Sequence, residues 1–379
     1  MELWRTWLDV VQPLRLAFSR AVPWHWFLIA LMGMTIRWGD RLGGVTAIVR
    51  KCWLHDACYR NLLHFFHSSA VDLHLLKCLW TKLVLKIFPV GLFPDKLVLI
   101  ADGIKIPKEG RKMPGVRLLH QESTSNTKPT WIMGHMCQSV GILACGFNRL
   151  FCVPLATEIH AGVTFSNRDK RTLHDKLMNL VKSLKIPLDW CLVADAYYGS
   201  KSIVKHLLPG CHLLVRLKSN AVGWQPASAV AKRKRGRPRI YGEKVVLREL
   251  YDQGRWEESI ISLPGRPPLE VNFRSVDLLW RPITREVRFI LVSHPHKGRM
   301  ILMSTDLHME PTSAIELYLA RFQIEQSFSV QVQVFGSYCY RFWMMAMDKL
   351  KRGSKGIYLH RKQEWYRDQV RRKLKAYEL

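Results

Sequence analysis

The stretch KLVLIADG, Lys96 to Gly103, is an apolar run that ends on Asp102 followed by Gly103. This is the pattern of a buried strand running into a turn. The stretch CLVADAYYGS, residues 191–200, repeats the theme and ends its apolar run on Asp195. Between them, Met136 to Leu143 and Phe151 to Ile159 read as strands. Thr172 to Leu184 has helical spacing, with Leu173, Leu177, Leu180, Val181 and Leu184 on one side. A short helix over Ile203 to Leu208 and a strand over His212 to Leu217 follow, while Ile104 to Thr130 reads as an irregular loop. The order strand, strand, strand, helix, strand, helix, strand predicts a mixed α/β sheet layered with helices.

Working outward, residues 1–94 carry apolar residues and Trp at helical spacing and are expected to form an all-helical N-terminal domain. Within it, Gly43 to Phe66 reads as two short helices joined near Leu54 to Ala57, with Arg50, Lys51 and Arg60 exposed. That arrangement suits either helix-turn-helix docking on DNA or a plain helical bundle. Residues 95–222 form the first part of the core. Residues 223–300 read as a β-rich insertion with a basic loop, with strands at Val245 to Leu250, Trp256 to Leu263, Leu269 to Phe273 and Val287 to Val292. The core resumes over 301–347, and 348–379 is a basic tail, with eleven Lys and Arg against two acids from Lys349 to Lys375.

The 379 residues contain 58 Lys plus Arg against 30 Asp plus Glu, a net charge of +28. An imbalance of that size points to a polyanionic partner, and nucleic acid is the commonest. A membrane is a poorer fit. The longest apolar stretch, Ala21 to Ile36, is shorter than a bilayer span and contains His25, and no secretory signal precedes it. A cytoplasmic, nucleoid-associated protein is expected. The nine cysteines show no Cys-x-x-Cys spacing, which argues against a zinc site or a disulfide framework.

Thr312 to Phe328, TSAIELYLARFQIEQSF, brings Tyr318, Arg321 and Glu325 onto one stripe of an expected helix. Ser313 and Glu316 have capping-box spacing at its start. Taken alone, the row reads first as a solvated face with an Arg–Glu pair at i, i+4. Asp102-Gly103 alone is a common turn dipeptide, and Asp195 alone suits a helix N-cap. Together, two strand-end aspartates and a helical glutamate can converge. Three hard oxygen donors without Cys or His suit Mg²⁺ or Mn²⁺, and on so basic a chain the matching chemistry is phosphoryl transfer on nucleic acid.

These blocks resemble the DDE transposases of bacterial insertion sequences, in the group whose third carboxylate lies in a Tyr-x2-Arg-x3-Glu-x6-Lys signature, the insertion sequence four family. Tyr318, Arg321 and Glu325 fit the signature, LIADG around Asp102 resembles its first strand, and LVADAYYGS around Asp195 its second. The resemblance covers residues 40–379. It implies a ribonuclease H-like core interrupted by a β-strand insertion, a helical domain that recognises element ends, and cut-and-paste transposition. It also implies Asp102, Asp195 and Glu325 as ligands of two Mg²⁺ ions, with Mn²⁺ as substitute, and Tyr318 and Arg321 as phosphate contacts. The implied partners are double-stranded DNA, both the inverted repeats and the target, and a second copy of the chain in a homodimer.

The sequence departs from the pattern in two places. Position 332, where the signature has Lys, is Val332, and Ser329 to Phe335 alternates with period two, so the helix is expected to fade there. The chain also stops at KAYEL within a helical pattern, where family members run on. Both departures fit a decayed or truncated copy, and the alternative function is a catalytically inactive DNA-binding protein acting by end binding or repression. The basic loop holds Arg235, Arg237 and Arg239 in an Arg-Gly-Arg-Pro-Arg stretch, which suits generic DNA contact or an AT-hook-like entry into a narrow minor groove. Trp256 and Trp280 are candidates either for stacking on an extruded base or for packing.

Overall fold

The computed structural model describes residues 2–36, 44–91, 93, 95–108, 116–121, 129–160, 171–227 and 239–338. Five helices come first: α1 (Glu2–Val11), α2 (Ala21–Ile36), α3 (Val45–Lys51), α4 (Ala57–Phe66) and α5 (Leu73–Ile87). Leu14, Trp24, Ile48, Leu62 and Phe65 form their shared core. α2 has the bounds of the apolar run, and among the described residues no helix is long and apolar enough to cross a membrane. α3 and α4 are the two short helices expected there, joined through residues 52–56, with Arg50, Lys51 and Arg60 exposed. α5 starts where the Asp72 side chain accepts from the Leu75 amide at 2.9 Å. It links the two halves of the protein, because Leu83 packs with the helices and Val84 with the sheet.

The remaining elements are β1 (Leu97–Pro107), β2 (Arg117–His120), β3 (Trp131–Gly146), β4 (Arg149–Ile159), α6 (Leu173–Ser183), β5 (Trp190–Ala194), α7 (Lys201–Lys205), β6 (His212–Leu217), β7 (Val222–Pro226), β8 (Tyr241–Val246), β9 (Glu257–Ile261), β10 (Leu269–Trp280), β11 (Arg285–His294), β12 (Gly298–Ser304), α8 (Pro311–Ala320) and α9 (Gln323–Gln333). The strands of the described residues join one mixed sheet, in the order β2-β3-β1-β5-β6-β12-β11-β10-β7-β8, with β4 on β3 and β9 on β10. β1 runs parallel to β5 and antiparallel to β3. Leu97 to Ala101 are buried because both faces are covered. Leu97, Leu99 and Ala101 share a core with Leu177, Val181 and Ile203 of α6 and α7. Val98 and Ile100 share the other with Leu317, Ile324 and Phe328 of α8 and α9. Burying each large apolar side chain in such a layer contributes about 1.5–3 kcal/mol. Alternation along β1 then turns Asp102 toward the α8 and α9 face.

Several expectations are corrected. β1 does not end at Asp102 but runs on to Pro107, because β3 continues beside it and pairs Gly103 with Gln138 and Ile106 with His135. The expected loop over 104–130 therefore contains the end of β1 and the short β2. The segment 247–252 is a 3-10 helix that buries Leu247 and Tyr251, where a strand was expected through Leu250. The β-rich segment 223–300 continues the same sheet, in which β12 pairs with β6 and is followed by β11, β10, β7 and β8. The helix expected over Thr312 to Phe328 is two helices. α8 starts at Pro311, whose fixed φ suits the first helical position, so Ser313 and Glu316 lie inside the helix and form no cap. The break falls at residues 321–322, where the amides of Ile324 and Glu325 bond to the carbonyls of Arg321 and Phe322, both at 3.1 Å. α9 ends at Gln333, within the stretch where helical character was expected to fade: Ile324 and Phe328 anchor its first half in the core, whereas Val330, Val332 and Val334 are exposed.

Candidate active site

Asp102 lies within β1 opposite Ser139, and Asp195 directly follows β5. Ala101 of β1 is registered with Ala194 of β5, so the two aspartates occupy neighbouring positions on adjacent parallel strands. Asp102 Oδ1 accepts from the Gly103 amide at 2.7 Å, and Asp195 Oδ1 accepts from the Ala196 amide at 2.7 Å. The second bond caps the 3-10 turn over Ala196–Tyr198, so Asp195 is an N-cap as well as a member of the cluster. The kink between α8 and α9 places Arg321 over this pair. Its Nη1 donates to Asp102 Oδ2 at 3.0 Å and its Nη2 to Glu325 Oε1 at 2.9 Å. The Arg321 side chain is 14% exposed, against 42% for Glu325, so the cluster is sunk on one side and open on the other. Tyr318 is buried beneath it, with the guanidinium carbon 5.9 Å from its ring centroid.

The charges act on one another. Burial pushes the Asp102 carboxyl above its ordinary value; the Arg321 cation and the Gly103 amide oppose this, and Glu325 and Asp195 reinforce it. Burial works against the Arg321 charge, yet Asp102, Tyr318, Asp195 and Glu325 together outweigh it and hold the guanidinium protonated. Burial likewise raises the Tyr318 phenol, against the pull of Arg321 and with the help of Asp195. It remains a donor at neutral pH.

Further groups at the site have no signal in the spacing of the sequence. Tyr198 is buried beside Asp102 and Asp195, its phenol raised by burial and then by the Asp102 charge, with Gln138 as hydrogen-bond partner. Gln138 also donates to the Leu173 carbonyl at 3.1 Å. His174 Nε2 lies 2.9 Å from the Tyr197 carbonyl and therefore carries the proton, which leaves Nδ1 to accept from Ser200 Oγ at 3.0 Å. These bonds hold the loop that follows Asp195. Arg216 of β6 acts on Tyr318 from the neighbouring strand. The two tyrosines of ADAYYGS adjoin an aspartate and could have been picked out, whereas His174 and Arg216 come from distant segments. A Cβ on Gly103 would lie 2.4 Å from Met136 Cε, the mobile end of a flexible side chain, and its next neighbours are 3.6 Å away.

Other candidates lie elsewhere. Arg235 and Arg237 are outside the described residues. Arg239 is exposed just before β8, six strand spacings from β5, on the order of 29 Å. Trp280 is buried and Trp256 stacks on Tyr251 at 5.5 Å, so both pack. Val332 is exposed on α9. Among the described residues, no three His, Cys, Asp or Glu side chains lie close enough together to hold a metal ion. The oxygen-only donors Asp102, Asp195 and Glu325 nonetheless suit a hard divalent cation. The Arg321 guanidinium stands between two of them and supplies the positive charge.

Carboxylates on two central parallel strands of a mixed sheet, with a third on the helix packed across them, are consistent with the fold of a DDE nuclease. The family profile described as DDE superfamily endonuclease matches residues 14–266, more than half of the chain, and the chain belongs to that family. Asp102 and Asp195 fall within the match, whereas Tyr318, Arg321 and Glu325 lie beyond it. No curated protein matches the chain.

Proposed function

We propose that the protein is a transposase of the insertion sequence four type, which cleaves DNA at the ends of an insertion sequence and joins the freed ends to target DNA. The observation that carries the reading is the pairing of Arg321 with both Asp102 and Glu325, with Asp195 near enough to act on Asp102 and Arg321 through its charge, from three segments far apart in sequence. The strand order β4-β3-β1-β5-β6 supports a ribonuclease H-like core. Asp102, Asp195 and Glu325 are the residues that would hold two Mg²⁺ ions, or Mn²⁺ in their place. The chemistry such ions would supply is a lowered pKa for an attacking water or hydroxyl and stabilisation of the leaving oxygen.

The chain's own groups have separate tasks. The Arg321 guanidinium would offer a planar pair of donors to a phosphate. The Tyr318 phenol donates a hydrogen bond to the same oxyanion. His174 and Tyr198 keep the loop after Asp195 in place. The helices over residues 1–94 are assigned to recognition of the element ends, and cut-and-paste transposition by a homodimer in the nucleoid is the corresponding cellular process. Exposed Val332, where the signature carries Lys, favours a second reading: a catalytically inactive descendant that binds ends without cutting them.

The test is nicking of duplex DNA carrying the element's terminal inverted repeats, in Mg²⁺, in Mn²⁺ and in EDTA. Metal-dependent nicking that disappears in Asp195→Asn while DNA binding persists is the expected result. Nicking retained by that variant would sink the site. Binding without nicking, rescued by Val332→Lys, would establish the second reading.

A further inference from the structure

The hairpin between β3 and β4 turns on Phe147 and Asn148, both with left-handed backbone, φ +52° and +55°, between the paired residues Gly146 and Arg149. Two residues of that conformation make a type I′ turn, in which Asn is well suited and a bulky aromatic in the first position is not. Phe147 is also 103% exposed, more than any other large hydrophobic side chain among the described residues. The turn is thus strained and leaves an aromatic ring wholly in water, two costs that Asn or Gly at the same position would avoid. Backbone strain of this kind is held at sites of function.

The tip is firmly mounted. The turn at Gly265 abuts it so closely that a Cβ on Gly265 would lie 2.8 Å from the Asn148 carbonyl oxygen. With its amide oriented to satisfy both ends, Gln323 at the start of α9 donates to the Leu150 carbonyl at 2.9 Å and accepts from Arg266 at 3.3 Å. Arg149 and Arg266 are both exposed, so a lone ring stands in a cationic setting. No acid occurs from Gly141 to Thr157 or from Ser262 to Leu269. Fixed cations beside an unburied aromatic fit a polyanion with stackable faces, which is nucleic acid.

The position relative to the carboxylates is set by β3. Asp102 is registered with Ser139, and the eight residues from there to Phe147 span about 27 Å of strand. That is less than one turn of B-DNA, about 34 Å. Resting on the proposal that the substrate is duplex DNA, we propose that Phe147 is a wedge. Arg149 and Arg266 hold the phosphates while the ring enters between two base pairs and kinks the duplex within one helical turn of Asp102.

The experiment uses the full chain and a duplex carrying the terminal repeats, with a donor and an acceptor dye at its ends and 2-aminopurine moved along one strand. The wild-type chain should bring the dyes together and raise 2-aminopurine fluorescence at one step. Phe147→Gly suits the left-handed backbone and so leaves the hairpin intact. It should abolish both signals and weaken binding by about tenfold. Phe147→Trp should keep both. Equal bending by wild type and Phe147→Gly overturns the wedge alone and leaves nicking as the test of the enzyme. Failure of the wild-type chain to bind the duplex overturns the wedge and the transposase reading together. Phe147-dependent sedimentation with phosphatidylserine vesicles, with DNA bending unchanged in Phe147→Gly, would assign the tip to a lipid surface and overturn the wedge.

Discussion

Arg321 donates to two carboxylates at once and is mostly buried while doing so, so removing it exposes a conflict that its charge now suppresses. Without the guanidinium, Asp102 faces Glu325 and Asp195 with the Gly103 amide as its remaining attractive partner among those acting on it. Stripping one member from a half-buried charged network costs about 2–3 kcal/mol. Arg321→Met should therefore lower stability in EDTA by about that amount, as read from urea unfolding. Because the carboxylates are then left for another cation, Mn²⁺ should restore more stability to Arg321→Met than to the wild-type chain. An equal Mn²⁺ response in both would mean that the guanidinium and the metal do not compete for the same oxygens.

α6 shows how far a local signal can be followed. Its apolar spacing gave its extent to within a residue at either end, and Thr172 with Asp175 forms a capping box, Thr172 Oγ1 accepting from the Asp175 amide at 3.2 Å. Asp175 also accepts from Ser202 of α7, and that hydroxyl, followed by the Thr172 amide, lowers its carboxyl to about 2. A depressed folded-state pKa means that the stabilisation is whole above the unfolded value of 3.8 and is lost as the pH falls toward 2. Asp175→Asn should thus cost about 1 kcal/mol at pH 7, and the two chains should converge in Tm as the pH drops through that window. A difference that persists unchanged to pH 2 would locate the effect in packing. The kink at 321–322 was not legible in the same way. Every residue from Ser313 to Gln326 is compatible with one continuous helix, and the break is a local change to i→i−3 bonding at Arg321 and Phe322, both of which keep right-handed helical backbone. Asp102 was read as a strand end because Asp-Gly is a turn pair. The partner that keeps β1 extended, β3, begins nearly thirty residues further on, where a local pattern cannot reach.

At the scale of the whole molecule, the aspartates Asp102 and Asp195 were legible because each sits in a run of apolar residues that a buried strand requires. The continuity of the sheet was not, since the pairing of β6 with β12 joins segments separated by the stretch that reads as an insertion. One sheet running from the carboxylates to β8 makes the protein a broad platform, and its excess of 58 Lys and Arg over 30 acids must be met by a partner or by counterions. If duplex DNA is that partner, binding releases condensed cations from the phosphates, and affinity must fall linearly with salt on logarithmic axes. Six or more phosphate contacts correspond to a loss on the order of a thousandfold between about 50 and 200 mM salt. Fluorescence anisotropy with a labelled duplex measures this slope. Phe147→Gly should weaken binding without changing it, because the ring neutralises no phosphate, whereas Arg149→Ala should flatten it by about one unit. A slope near zero for the wild-type chain would show that its positive charge serves some purpose other than holding DNA.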